Sequence, residues 1–510
     1  MNEPADSSPD TQEAGSGAAG PGDATTDPRE RHPGAMGDPD ARDPGAMDDP
    51  DARHPGATRT HLGELGGLSW LRLCFVDIFG TLRSVQIPSS RFEDALQRGV
   101  IFDGSALEGR IRLLEADRVL RPDLRTLAPL DETTARVLCS VTKEDGEPWL
   151  LDPRSALQEI CRSHEDVALA WRGAVEIEWY LVDESLDPID RGGYFSDLEG
   201  KGRAIAMEAA ESLERLGIRV AGIHHEGGPG QYEIDLMALP PMEVADAITY
   251  AKALVADSAI CHGARATFVA RPLAGQPGSG MHIHQHLSRI SRWVSGPLSE
   301  SDGKAVAGPD ADNVAGGGAS GGRHPGELLG SEGDAEVVSR WMIGGILRHA
   351  RGLSALAAPS VSSYRRLHSG PEAPGAAVWA HMNRAALVRM TNTELGTPSV
   401  EYRGADPSAN PYLLIGGLLV AIDDGLSERA SPGRPLEEEP AGFDPAAVES
   451  APRDLPRSLD AATQALLEDE VLVDAFDGRL IGRLVDGQRA EADAAGANVT
   501  RADLLSSLDS

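Results

Sequence analysis

The sequence is poor in cysteine, aromatic residues and positive charge, and it has no long apolar run. Its cysteines, Cys74, Cys139, Cys161 and Cys261, stand far apart with no CxxC pair. That spacing excludes a disulfide framework and a cysteine-based zinc site, and fits a reducing cytoplasm. Lysine and arginine number 47 against 80 aspartates and glutamates, a formal charge of -33. Such a chain repels nucleic acid and anionic membranes, so neither is expected as a partner. The longest apolar run, "LLIGGLLVAI" at 413–422, is too short to span a bilayer and is broken by glycines. The N-terminus lacks a basic-then-apolar signal pattern and is too acidic for a transit peptide. These absences predict a soluble, cytoplasmic protein. What is present is 41% hydrophobic residues in a chain of 510, enough for a real core and for two or more domains.

Residues 1–60 are Pro, Gly, Ala and Asp with few large apolar side chains, and carry an 11-residue repeat, "HPGAMGDPDAR" then "DPGAMDDPDAR". Recurrent proline forbids a helical repeat, and nothing offsets the ordering entropy, so a disordered acidic tail is expected. "WLRLCFVDIFGTLRSVQI" (70–87) predicts a hairpin about the "DIFG" turn, and "ARVLCSVT" (135–142) a further strand. This small β-rich region runs to residue 155. Residues 156–510 then alternate. The expected strands are "AVEIEWYLV" (174–182), "GQYEIDLMAL" (230–239), "ATFVAR" (266–271), "AALVRM" (385–390) and "SVEYRG" (399–404). Helices are expected over 154–163, 203–218, 241–263, 336–356 and much of 455–495. The Gly/Ser/Asp-rich stretch 295–334 reads as a surface loop or flap. The run Glu437, Glu438, Glu439 reads as a solvated loop.

The strand "AVEIEWYLV" raises the first chemical question. Residues two apart in a strand share a face, so Glu176 and Glu178 lie about 6–7 Å apart and repel. Either the strand is half exposed and its acids face water, or a divalent cation lies between them. "HHEGGPGQYEID" (224–235) adds Glu226 and Glu233, "GSGMHIHQ" (278–285) adds His282 and His284, and "SVEYRG" adds Glu401 and Arg403. Several carboxylates with an imidazole favour Mg2+ or Mn2+ over zinc. Arg366, Arg384, Arg389 and Arg403 cluster in the same half. They could pair with surface acids or clamp carboxylate and phosphate. Cations with arginines suggest polyphosphate chemistry, yet no GxxxxGK[ST] loop is present.

Ordered motifs then carry a resemblance: "FDGSALEG" (102–109), "EIEWYL" (176–181), "HHEGGPGQYEID", "GSGMHIH", "SYRRL" (363–367), "PEAP" (371–374), "NRAALVR" (383–389) and "ADPSANPY" (405–412). Over residues 66–490 the chain resembles bacterial type I glutamine synthetases. Its "GSALEG" and "QPGSGMH" variants are most similar to the actinobacterial subgroup containing γ-glutamylpolyamine synthetases. The resemblance implies an α+β fold. A β-grasp domain (61–155) precedes a catalytic domain (156–510) whose curved antiparallel sheet is flanked by helices. It also implies a homo-oligomer of two stacked hexameric rings, a dodecamer, with each active site between neighbouring subunits.

Residue by residue, the resemblance implies that Glu178, Glu226 and Glu233 hold one metal, and Glu176, His282 and Glu401 another, with two to three Mg2+ or Mn2+ per site. Arg366, Arg384 and Arg403 match arginines that hold glutamate and the transferred phosphoryl group, and Arg389 matches a nucleotide-phosphate contact. Gly278 matches a backbone contact to glutamate, and His284 a residue near ATP. Glu372 matches the flap glutamate that deprotonates the amine. Asp103 matches the ammonium-site aspartate from the neighbouring subunit, and Tyr194 lies near that pocket. The implied reaction joins glutamate to ammonia, with ATP as substrate, through γ-glutamyl phosphate. A polyamine or monoamine as acceptor is the alternative, and a weakly catalytic, regulatory paralogue a third. Ser399 stands where the family usually has an arginine touching ATP phosphate. Arg271, Pro277, Ala106 and His286 also depart from the family pattern.

Overall fold

Two sheets carry the structure, a computed structural model that describes residues 67–107, 117–288, 290–294, 332–368, 373–393, 397–437 and 454–497. The expected N-terminal tail, most of the 295–334 flap, Glu372, Glu438 and Glu439 lie outside the described residues.

The first sheet contains β1 (Trp70–Val76), β2 (Leu82–Pro88), β3 (Val100–Asp103), β4 (Asp117–Pro122), β5 (Ala128–Pro129) and β6 (Thr134–Thr142). Its order is β2-β1-β6-β4-β3, with β5 on β6. The expected hairpin is there: β1 and β2 pair antiparallel around the turn at 77–80, where the Asp77 carboxylate accepts from the backbone N–H groups of Phe79 and Thr81. Both faces of β1 are covered. Leu71, Leu73 and Phe75 pack into a small core of this sheet's own, while Cys74 and Val76 join the main core behind it. Two-sided burial explains the nearly continuous apolar run "LRLCFV".

The second sheet contains β7 (Trp171–Val182), β8 (Val220–His225), β9 (Gln231–Leu239), β10 (Arg265–Thr267), β11 (Met281–Leu287), β12 (Ala376–Ala380), β13 (Ala386–Asn392) and β14 (Pro398–Tyr402). Its order is β12-β13-β14-β11-β7-β9-β8, with β10 on β7, and every pair is antiparallel except the edge pair β12–β13. The strand expected over 266–271 is shorter than its apolar pattern suggests. Only three residues pair, and Ala270 leaves the ladder to accept from the backbone N–H of Ser279 at 2.8 Å.

Helices cover the sheet, and several starts have a local cause. Asp152 caps Pro153–Ser163 and Asn410 caps Pro411–Ser427, both with proline in the first turn. Ser360 and Ser363 cap Val361–Leu367 reciprocally. Helices Glu332–Ala357 and Pro411–Ser427 cross at Gly345, where a Cβ would lie 2.0 Å from the Ala421 carbonyl oxygen. The 455–495 region is three helices, Leu459–Leu467, Glu470–Phe476 and Gly478–Ala497. Glu437 is not merely solvated, because its carboxylate accepts from the backbone N–H groups of His381 and Met382.

Buried polar contacts tie the two sheets together. Arg154 reaches Asp123 and Asp246, each at 2.8 Å, and the Asn410 amide donates to the Asp77 carbonyl at 3.0 Å.

A second junction is pH-sensitive. Buried His349 has Asp469 at 2.8 Å on Nδ1 and Asp424 at 3.1 Å on Nε2. Burial opposes its charge, but the two carboxylates outweigh burial and raise its pKa above the usual imidazole value. The sign follows from linkage. His349 stabilises fully below its unfolded pKa of about 6.5, and that contribution disappears as pH rises through the higher folded value. Urea midpoints should therefore fall across that window in the wild type, and less steeply in His349→Gln. Equal slopes would contradict the assignment.

Candidate active site

Cross-strand register gathers the acids on one face. Glu178 pairs with Glu233, and Glu233 with His224. One step along, Glu176 pairs with Asp235 on one side and His282 on the other. His284 pairs with Glu401, and Glu401 with Arg389. Antiparallel partners share a face, as do residues two apart, so these positions from β7, β8, β9, β11, β13 and β14 share one face. Like charges placed opposite one another destabilise a sheet. This sheet has two such pairs side by side.

Local contacts divide the row in two. On one side, Glu176 accepts from His282 Nδ1 and His284 Nε2, both at 2.8 Å. Burial alone would raise its pKa, but the two imidazoles hold it well below the usual carboxylate value. Glu401, also buried, is held low by Arg403, the two histidines and Arg389, whose Nη1 lies 2.8 Å away. On the other side, Glu178 is pushed well above its usual value by burial and then by Glu233 and Glu226. Glu233 is pushed up to about 10 by burial, Glu176, Glu226 and Asp235. One half of the row carries its own cations, and the other is acid crowded on acid.

The donor set fits divalent cations. Ligand atoms of Glu176, His284 and Glu401 lie within 4.8 Å of one another, and so do those of His224, Glu233 and Asp235. Asp235 Oδ1 is buried with no hydrogen-bond partner among the described residues, an orphan that a cation would satisfy. In the first of these sets His284 stands beside Glu176 and Glu401, the place that the resemblance gave to His282. His282 hydrogen-bonds Glu176 from the neighbouring position.

The arginines converge on the same face. Arg366 is buried on helix Val361–Leu367, lies within electrostatic reach of Glu178, and donates from Nη2 to the Arg403 carbonyl at 3.1 Å. Arg403 pairs with Glu401 and donates from Nε to the Arg384 carbonyl at 3.0 Å. The exposed Arg384 side chain meets the Tyr194 hydroxyl, and the Tyr194 ring lies 6.2 Å from that of His224. Gly278 lies against Arg366, where a Cβ would sit 2.7 Å from Arg366 Cγ. Among the predicted residues, Asp103 is apart. It ends β3 in the other sheet, and its carboxylate accepts from the Ser105 backbone N–H at 3.0 Å.

Sequence reasoning missed His224 and four further contributors. Gln231, fully buried, donates from Nε2 to Glu178 at 2.9 Å and to the Gly278 carbonyl at 3.1 Å. Asp235 is two residues from Glu233 in "EID", a spacing that could have been read. Gly280 admits the site's side chains past its backbone: a Cβ there would lie 2.7 Å from His282 Nε2, 2.8 Å from Glu178 Oε1 and 2.9 Å from Arg366 Nη2. Asp190 accepts from the backbone N–H groups of Gly192 and Gly230 and from the Tyr232 hydroxyl, tying the Tyr194 loop to the turn after Glu226. No sequence pattern marks it.

Comparison with known families accounts for this arrangement. The family described as "Glutamine synthetase, beta-Grasp domain" matches residues 67–144, and "Glutamine synthetase, catalytic domain" matches residues 150–302 and 329–506. The chain belongs to the glutamine synthetase family. A glutamine synthetase of Thermotoga maritima is 33% identical over 443 residues, covering 84% of this chain and 93% of that protein. One from Thermococcus kodakarensis is 35% identical over 417 residues (80% and 86%), and one from Mycolicibacterium smegmatis 32% over 455 (86% and 95%). Among solved structures, GmaS without ligand aligns with a TM-score of 0.72 at 25% identity, covering 88% of this chain and 99% of that one. A GmaS/ADP complex aligns equally well at 26% identity, with 89% and 99% covered.

Members of this family are ATP-dependent ligases that use divalent metals, so the chain is an enzyme of that class with an α+β, β-grasp-plus-catalytic-domain fold. Among the described residues no helix is long and apolar enough to cross a membrane.

Proposed function

We propose that the chain makes glutamine from glutamate, ammonia and ATP through γ-glutamyl phosphate. The observation that carries this reading is the one-face row of opposed acids flanked by buried arginines. The glutamine synthetases among its relatives support the product, and the ADP complex of GmaS supports a nucleotide site.

Glu178, Glu226 and Glu233 would hold one divalent ion, with His224 and Asp235 beside them. Glu176, Glu401 and an imidazole, His282 or His284, would hold another. Bound there, Mg2+ or Mn2+ supplies positive charge beside the phosphates of ATP. Arg366 and Arg403 would fix the glutamate carboxylate and neutralise the phosphoryl group, and Arg389 would meet the nucleotide phosphates. A γ-carboxylate oxygen of glutamate forms a bond to the terminal phosphorus as ADP leaves. Ammonia then attacks the acyl carbon and inorganic phosphate leaves. Ammonium has no lone pair, so its extra proton must go to a carboxylate. Glu372 is our candidate, with Asp103 of a neighbouring copy holding the cation and Tyr194 and Arg384 walling the pocket. We further propose stacked hexameric rings, a domain change near residue 155, and a cytoplasmic location. The first would bring Asp103 to the site.

An organic amine as acceptor is the second reading, favoured by Ala106, which stands where the family has a serine of the ammonium pocket. Phosphate release with glutamate, ATP and Mg2+ should separate the two across ammonia, putrescine, spermine and ethanolamine. Ammonia is expected to exceed the others by about tenfold or more in kcat/KM. Turnover with organic amines alone would replace glutamine with a γ-glutamylamide as product. No turnover with any of them would sink the ligase assignment.

A further inference from the structure

A cavity of about 350 Å³ lies between the first sheet and helix Pro241–Cys261, among residues the proposed reaction does not use. That volume suits a small molecule. Its charge runs against the rest of the chain. Arg72 on β1 and Arg136 on β6 are direct cross-strand partners, two like charges side by side on the face turned toward the helix. Such a pair destabilises a sheet unless something balances it.

The balance within the chain is incomplete. Arg136 is 2% exposed and pairs through Nη2 with Asp257, but its Nε is buried with no hydrogen-bond partner among the described residues. Among the described residues Asp257 is the only carboxylate lining the cavity. Lys252 reaches in from the helix, its Nζ donating to the Pro407 carbonyl at 2.6 Å and standing 5.6 Å from the Phe268 ring. Burial lowers its pKa to about 8, and the nearby Asp406 carboxylate offsets that burial only in part. Leu82, Phe268 and Pro411 add apolar wall, with Ser84 and Thr249 as further polar lining.

We propose that this cavity binds a small organic dianion with a short apolar body, its charged oxygens held by Arg72, Arg136 and Lys252. A doubly charged oxyanion supplies the acceptors that the Arg136 Nε lacks and separates the two guanidiniums electrostatically. Arginine forks suit either carboxylate or phosphate, so the chemistry is shared by dicarboxylates and phosphate esters.

Thermal unfolding of the full chain tests this, with succinate and glycerol 3-phosphate as probes and sodium chloride at matched ionic strength as control. At least one probe should raise the midpoint saturably, as expected for a ligand that binds only the folded state. Arg72→Glu should abolish that rise and Lys252→Met should weaken it. Both variants should keep wild-type phosphate release with the preferred amine. Arg72→Gln serves if the Glu variant fails to fold. Whichever probe acts identifies carboxylate or phosphate as the favoured group. A rise that survives Arg72→Glu or Arg72→Gln would place the anion elsewhere, including among the arginines of the active site, and overturn the proposal. So would no rise beyond the salt control with either probe.

Discussion

Glu178→Gln is expected to lower kcat/KM by about 10³-fold while the fold persists. The magnitude follows from losing charge stabilisation worth several kcal/mol, at about 1.4 kcal/mol per tenfold. Glutamine matches glutamate in shape, so the buried contacts around β7 survive, and only the charge opposite Glu233 disappears. The variant should also unfold differently. In a chelator it should be at least as stable as the wild type, because a carboxylate leaves a buried, like-charged set. Adding Mg2+ or Mn2+ should raise the wild-type midpoint strongly and the variant's much less. Full activity in Glu178→Gln, or an undiminished response to metal, would refute the ligand assignment.

Gly280→Ala tests the same centre without touching a charge. The added methyl would lie within 2.9 Å of His282 Nε2, Glu178 Oε1 and Arg366 Nη2, and all three must shift. Displacements of about 1 Å in positioning groups cost on the order of 100-fold in rate, and that is the expected fall in kcat/KM. The crowding is local, so the midpoint should drop by no more than about 5 °C. Gly275→Ala is the control, since a Cβ there meets no atom within 4 Å. Its strain is confined to a positive φ, and its activity should stay within about twofold of wild type. Wild-type activity in Gly280→Ala would mean that the backbone approach is incidental.

The two variants differ in how they could have been foreseen. Glu178 was legible because strand alternation alone places it beside Glu176, and an acid pair in an apolar strand demands a reason. The same alternation exposed His282 with His284. Glu226 and the clustered arginines were also visible in the sequence, and the motif order then supplied their roles. Gly280 was visible only as part of a glycine-rich turn, since its role depends on Arg366 arriving from a helix more than eighty positions later. Gln231 and Asp190 were missed for a related reason. Each acts through a hydrogen bond to a residue far along the chain, and neither disturbs the local pattern. The strand at 266–271 was over-read because pairing stops at Thr267 and Ala270 turns to the Ser279 backbone instead.

The sequence by itself settled the acidic, cysteine-poor character of the chain, most of its strands and helices, and which residues share a face within each strand. Those are local properties, governed by period and by neighbours in sequence. Which strand lies beside which, and in what register, was decided only by the folded chain, because pairing joins residues across loops of any length. Register is what sets Glu178 against Glu233 at one site and Arg72 against Arg136 at the other.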